Sequence, residues 1–168
     1  MKPVPGIAIE HQPESALFAC CLVAEAANDG EPGMAAVAQV IVNRASHTTR
    51  FPVTLRGVIL QPWAFSSFNA NDPNRARLLD LWHLDPKSYA IAEGIVVQAN
   101  AGVLPDTVGP ATHYCTNGLH GTLALWGHDD TDWIAQGHHP RWYSKQYIDA
   151  GLTKETATIG RQTFGVTP

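Results

Sequence analysis

Charge is scarce in this chain. Asp, Glu, Lys and Arg together make up 15% of its 168 residues, against about 25% in ordinary soluble domains. The net charge is -4 and no Lys/Arg cluster is present, which argues against a nucleic-acid binder, since such proteins carry a basic face. The same balance gives no pull towards an anionic membrane or wall surface. Cysteine is also rare. The three thiols include the neighbours Cys20 and Cys21, whose directions on a helix differ by about 100°. A disulfide framework is therefore not expected, and reduced, buried thiols are. Long hydrophobic runs are missing too. Residues 1–13 contain no apolar stretch of the secretory kind, and Ala16 to Ala24 is too short to span a bilayer. The expectation is a protein made in the cytoplasm without a signal peptide and without membrane insertion, reaching its site of action by release or delivery.

What is present is enough chain for one full core, so a single domain over 1–168 is expected, with 1–13 as an N-terminal extension. Pro13 and Glu14 suit a first helical turn, and Asn28-Asp29-Gly30 a stop. A second helix is expected from about Met34 to Ser46, where Met34, Val37, Val40 and Ile41 form an apolar stripe. Asp72-Pro73 and Asp85-Pro86 read as cap and first-turn pairs for helices over about 73–84 and 86–101, with Gly102 closing the latter. Gln61 to Asn71 is an aromatic loop. From Leu104 to Trp142 helical periodicity fails. A short strand is expected within Val108–Asn117, and 118–140 reads as a long insertion loop.

Three chemistries compete. The first rests on Glu25, the only charged side chain between Ser15 and Asn28 in an otherwise apolar helix. A carboxylate in apolar surroundings is costly to ionise and so suited to proton transfer; a helix-end Glu turned to solvent is the alternative. Asp29 and Glu31 lie close by, and Trp63, Phe65, Phe68, Tyr114, Trp126, Trp133, Trp142 and Tyr143 could stack on sugars or fill the core. The second pairs Cys115 with His120, His138 or His139 as a peptidase nucleophile and base. The third gathers His113, Cys115, His120, His128, His138 and His139 with Asp129 and Asp130 around zinc, although no defined ligand spacing supports it.

The balance is tipped by Ala24-Glu25, Gly30-Glu31-Pro32 and Ala36-Val37-Ala38-Gln39-Val40-Ile41-Val42-Asn43-Arg44. This block resembles the opening AE…GEP…(A)VAxVIxNR of the spore-cortex-lytic cell wall hydrolases. Phe51-Pro52 and Val58 through Ser66 are similar to that family's FP…VI.QP.AF[ST], Ala111 to Tyr114 to its late strand, Trp142 to its PxW-like position, and Ile159-Gly160 with Phe164 to its terminal IGxHxF. The resemblance spans about residues 20–165. It departs in a Glu25-to-Gly30 spacing two residues longer than the family's, and in Gln162 where the family has histidine.

The resemblance implies an α+β, mainly α, lysozyme-like fold with a small β element. It also implies a lytic transglycosylase acting on the β-1,4 bond between N-acetylmuramic acid and N-acetylglucosamine in peptidoglycan glycan strands. Glu25 is then the catalytic acid, and no metal or cofactor is called for. Ser66, Phe65, Tyr114, Asn117 and Trp142 are the expected substrate contacts. The absence of a signal peptide and of a wall-binding module fits a phage endolysin-like or injected effector role, with a delivery or immunity partner, and a cytoplasmic relative that has lost its activity is the duller option. A hydrolytic muramidase, a Cys/His peptidase and a non-catalytic peptidoglycan-binding domain remain the alternatives.

Overall fold

The computed structural model describes residues 1–47, 49–117 and 125–167. The chain forms two compact units, Met1–Thr107 and Val108–Pro168.

The first unit is helical. α1 (Glu14–Ala26) starts where Pro13, held extended, offers its carbonyl to the Leu17 N–H at 3.0 Å. Nine of its thirteen residues are buried, including Phe18, Cys21 and Leu22 at 0% exposure, so it is the central helix that its scarcity of charge predicts. α2 (Gly30–Ser46) packs against it and buries Met34, Val37, Val40 and Ile41. Small Ala36 and Ala38, also fully buried, allow that close approach. α3 (Leu55–Leu60) is capped by Thr54, whose hydroxyl accepts the Gly57 N–H at 3.0 Å. Ahead of α1, residues 1–13 are tied down rather than trailing. The buried Gln12 carboxamide bonds the Val4 N–H at 2.7 Å and the Val4 and Ile7 carbonyls at 2.9 and 2.7 Å.

The helix expected over 73–84 is instead a 3-10 segment, Arg75–Asp80, followed by the single turn α4 (Leu81–Leu84). Asp72 does not cap an α-helix; its carboxylate accepts the Asn74 N–H at 2.7 Å, a local turn that competes with helix initiation. Asp85 does cap, accepting the Ser88 N–H at 3.1 Å ahead of α5 (Pro86–Asn100). Gly102 follows the end of this helix, as the sequence implies, and α5 packs on both α1 and α2. The buried Gln39 of α2 fastens the chain beyond α5, donating to the Asp106 carboxylate and accepting the Thr107 N–H at 2.8 Å.

The second unit is built on an antiparallel sheet of β1 (His113–Thr116), β2 (Lys154–Ile159) and β3 (Gln162–Val166), in the order β1-β3-β2. Only β1 was expected from the sequence, and it is shorter than Val108–Asn117. β2 and β3 form a hairpin across Gly160-Arg161, pairing Ile159 with Gln162. Two short helices, α6 (Thr131–Ala135) and α7 (Lys145–Asp149), precede it. The segment read as a loop over 118–140 thus holds a helix in its described part. No described helix is long and apolar enough to cross a membrane.

Candidate active site and its scaffold

Glu25 occupies the last turn of α1, half-buried, one turn beyond the fully buried Cys21 and Leu22. Burial raises the Cys21 thiol well above its ordinary value, the Glu25 charge raises it further, and Arg44 opposes them. Glu25 and Arg44 therefore act on one buried point from α1 and α2. Arg44 is only 8% exposed, and its guanidinium lies 5.4 Å from the ring centres of both Phe51 and Phe65. Those stacked faces hold a buried cation in one orientation.

Just past Glu25 the backbone turns sharply. A 3-10 turn (Ala27–Asp29) leads to Gly30 at φ 66° and ψ -161°, a conformation open essentially to glycine alone. α2 then starts at once, several residues earlier than its apolar stripe suggests. Glu31 is exposed in its first turn, a favourable place for negative charge beside unpaired N–H groups. Gly33 is needed for a different reason: a Cβ there would lie 2.4 Å from the Cβ of Asp29. Gly33→Ala is expected to force the turn open, costing roughly 1–3 kcal/mol and reducing wall-degrading activity. A thermal melt and a turbidity assay check this, and an unchanged melting midpoint would show that the turn yields freely.

The remaining expected contacts divide by unit. Phe65 is 1% exposed; it offers no open ring face and instead supports Arg44. Ser66 is exposed at the start of the 3-10 helix Ser66–Phe68, which packs on α1. Near it, a hollow of about 280 Å³ opens beside the end of α1, where Ala24 and Ala27 meet Ser67 and Arg77. Phe68 is buried, whereas Trp63 is 78% exposed.

In the second unit, Tyr114 is half-buried on β1, 5.8 Å from the Phe164 ring. Asn117 closes the sheet end: its N–H meets the Arg161 carbonyl at 2.7 Å and its side-chain oxygen accepts from the Thr163 hydroxyl. Trp142 sits in an aromatic cluster, 5.0 Å from His113, 5.9 Å from Trp126 and 5.6 Å from Tyr143.

The competing chemistries fare differently. Burial, with the Glu155 charge adding to it, pushes the Cys115 thiol up to about 12, so it is protonated at neutral pH, the opposite of an activated nucleophile. All three cysteines are buried and free. Among the described residues no three His, Cys, Asp or Glu side chains converge as a metal site; His120 lies outside those residues. Asp129 and Asp130 have other work. Asp129 accepts from the Thr131 N–H and hydroxyl and from Gln146 at 2.9, 2.6 and 2.6 Å. Asp130, with no exposed side-chain surface, holds the Arg141 backbone N–H at 2.7 Å and its guanidinium Nε at 2.9 Å.

A helical unit with a half-buried acid in the last turn of its central helix, and a unit with a three-stranded sheet following it in sequence, define the fold. Two solved structures share it. One is the catalytic domain of the Bacillus cereus SleB protein, 22% identical, covering 96% of this chain and 94% of that one with a TM-score of 0.52. The other is the catalytic domain of the germination-specific lytic transglycosylase SleB from Bacillus anthracis, 22% identical, covering 96% and 98% with a TM-score of 0.53. No curated protein matches the sequence. The Cell Wall Hydrolase family model matches residues 28–165, and the chain belongs to that family. Its activity is accordingly degradation of the peptidoglycan wall. The matched stretch begins three residues after Glu25, so the match itself does not include that acid.

Proposed function

We propose that the chain is a peptidoglycan lytic transglycosylase, acting as one catalytic domain, with Glu25 as its acid and base. The observation that carries this reading is a half-buried carboxylate in the last turn of the otherwise buried end of α1, three residues ahead of the family-matched segment. The fold shared with the SleB catalytic domains is consistent with it.

Glu25 first gives its proton to the glycosidic oxygen. The bond from C1 of the muramic acid breaks, and its electron pair stays with the departing glucosamine oxygen. The resulting carboxylate then takes the proton of the muramoyl 6-hydroxyl as that oxygen bonds to C1, closing a 1,6-anhydro ring. The substrate supplies the nucleophile, so a second carboxylate is unnecessary. Asp29 and Glu31 then serve the turn and the start of α2 rather than the chemistry. In this reading Arg44, fixed by Phe51 and Phe65, is a positioning residue that holds the environment of α1 around Glu25.

Purified peptidoglycan digested with the protein should release anhydro-muropeptides, 18 Da lighter than the hydrolytic products, a difference that mass spectrometry resolves. Reducing muropeptides would assign a muramidase instead. Free stem peptides would remove the glycosidase reading altogether.

A further inference from the structure

The loop between α3 and the Ser66–Phe68 turn carries a feature that the reaction at Glu25 does not use. Trp63 has φ 66°, making it the non-glycine residue with positive φ among those described. Left-handed backbone is disfavoured for a side chain of this bulk. The Asn69 side-chain oxygen accepts the Trp63 N–H at 3.0 Å and holds the loop in this shape. The indole is 78% exposed, so burial in the core does not compensate. Its side chain borders a hollow of about 530 Å³ shared with Gln61, Pro62, Phe68, Asn69 and Asn71. One wall is braced by Arg75, which donates to the Phe68 carbonyl and pairs with the Glu10 carboxylate.

We propose that this hollow is a glycan subsite for a neutral N-acetylated sugar of the N-acetylglucosamine type, with Trp63 stacking beneath the pyranose ring. An exposed indole face matches the apolar C–H face of a pyranose, while the carboxamides of Gln61, Asn69 and Asn71 supply both donors and acceptors for hydroxyl and acetamido groups. The two lining charges, Glu10 and Arg75, neutralise each other, which favours an uncharged sugar over an acidic lactyl-peptide group. The assignment rests on the peptidoglycan-degrading reading and adds to it a place where the strand is gripped.

The test uses the full chain carrying Glu25→Gln, so that binding is read without turnover, and a tetrasaccharide of alternating N-acetylglucosamine and N-acetylmuramic acid. Titration calorimetry should show binding that weakens about tenfold in Trp63→Gly, the scale of one lost aromatic contact. Trp63→Phe, which keeps a ring, should recover part of the loss. Glycine fits φ 66°, so Trp63→Gly should remain folded by circular dichroism. Equal affinity with and without the indole would overturn the subsite, as would no binding by the parent. A parallel digest of peptidoglycan by the unmodified chain separates the cases: muropeptide release with an unaffected Trp63→Gly affinity removes only the subsite, whereas no release removes the reading on which it rests.

Discussion

Glu25→Gln should lower the rate of muropeptide release by about a thousandfold, or ~4 kcal/mol of activation free energy, while leaving the protein folded. The amide has almost the shape of the carboxylic acid, so the half-buried end of α1 keeps its packing. It can neither give a proton to the leaving oxygen nor take one from the muramoyl hydroxyl, and both halves of the reaction fail together. The measurement pairs a muropeptide release assay with a thermal melt and with sedimentation of the protein on insoluble peptidoglycan. Loss of release with the melt and the sedimentation unchanged identifies a chemical role. Full activity in the variant would pass that role to another acid, with Asp29 and Glu31 the next to examine, or mark the domain as a binder.

The second large effect is expected far along the chain. Asp130→Ala should destabilise the protein by about 2–3 kcal/mol at neutral pH, less than the 3–5 of a fully buried pair because Arg141 is partly exposed. Removing the carboxylate strips the acceptor from the Arg141 backbone and guanidinium donors at once. Arg141 also stacks between Trp133 and Tyr143, at 5.4 and 5.5 Å, so that arrangement loosens with it.

The pH dependence has a definite sign. Hydrogen bonding from Arg141 holds the Asp130 carboxyl below the usual range, and bonds from Thr131 and Gln146 bring Asp129 down to about 2. Groups depressed on folding contribute stability above their unfolded value, about 3.9 for Asp, and lose it as the pH falls through the folded one. Urea unfolding of the parent should therefore weaken between about pH 4 and pH 2, and Asp130→Ala should show a shallower decline. Parallel declines would show that the ion pair is not the source.

Much of this architecture is legible in the residues. The run from Ser15 to Asn28 reads as a buried helix with one charge on it, and Phe18, Cys21 and Leu22 are indeed without exposure, although the α-helix stops at Ala26. The stripe of α2 and the Asp85-Pro86 start of α5 are equally readable, because a 3.6-residue period and a capping carboxylate are local signals. The hairpin of β2 and β3 has a weaker local signal, the β-branched residues around Gly160-Arg161, because each strand is only five or six residues long. The helix expected over 73–84 fails for a local reason of another kind: the same Asp-Pro pair serves a turn at Asp72 and a cap at Asp85, and the following residues bury little besides Leu78.

By itself, then, the sequence determined the helical core, the placement of Glu25 at its edge and the family motif, all of which depend on neighbours within a few residues. Only the tertiary structure decided which aromatics are interior and which are open. Phe65 and Trp63 stand two residues apart in one loop, yet one is sealed beneath Arg44 and the other faces solvent in a left-handed backbone. The tertiary structure alone also showed that Gly33 must yield space to Asp29, and that Asp130 is held by Arg141. Such outcomes depend on segments brought together by packing, and in a loop no periodicity records which side will be covered.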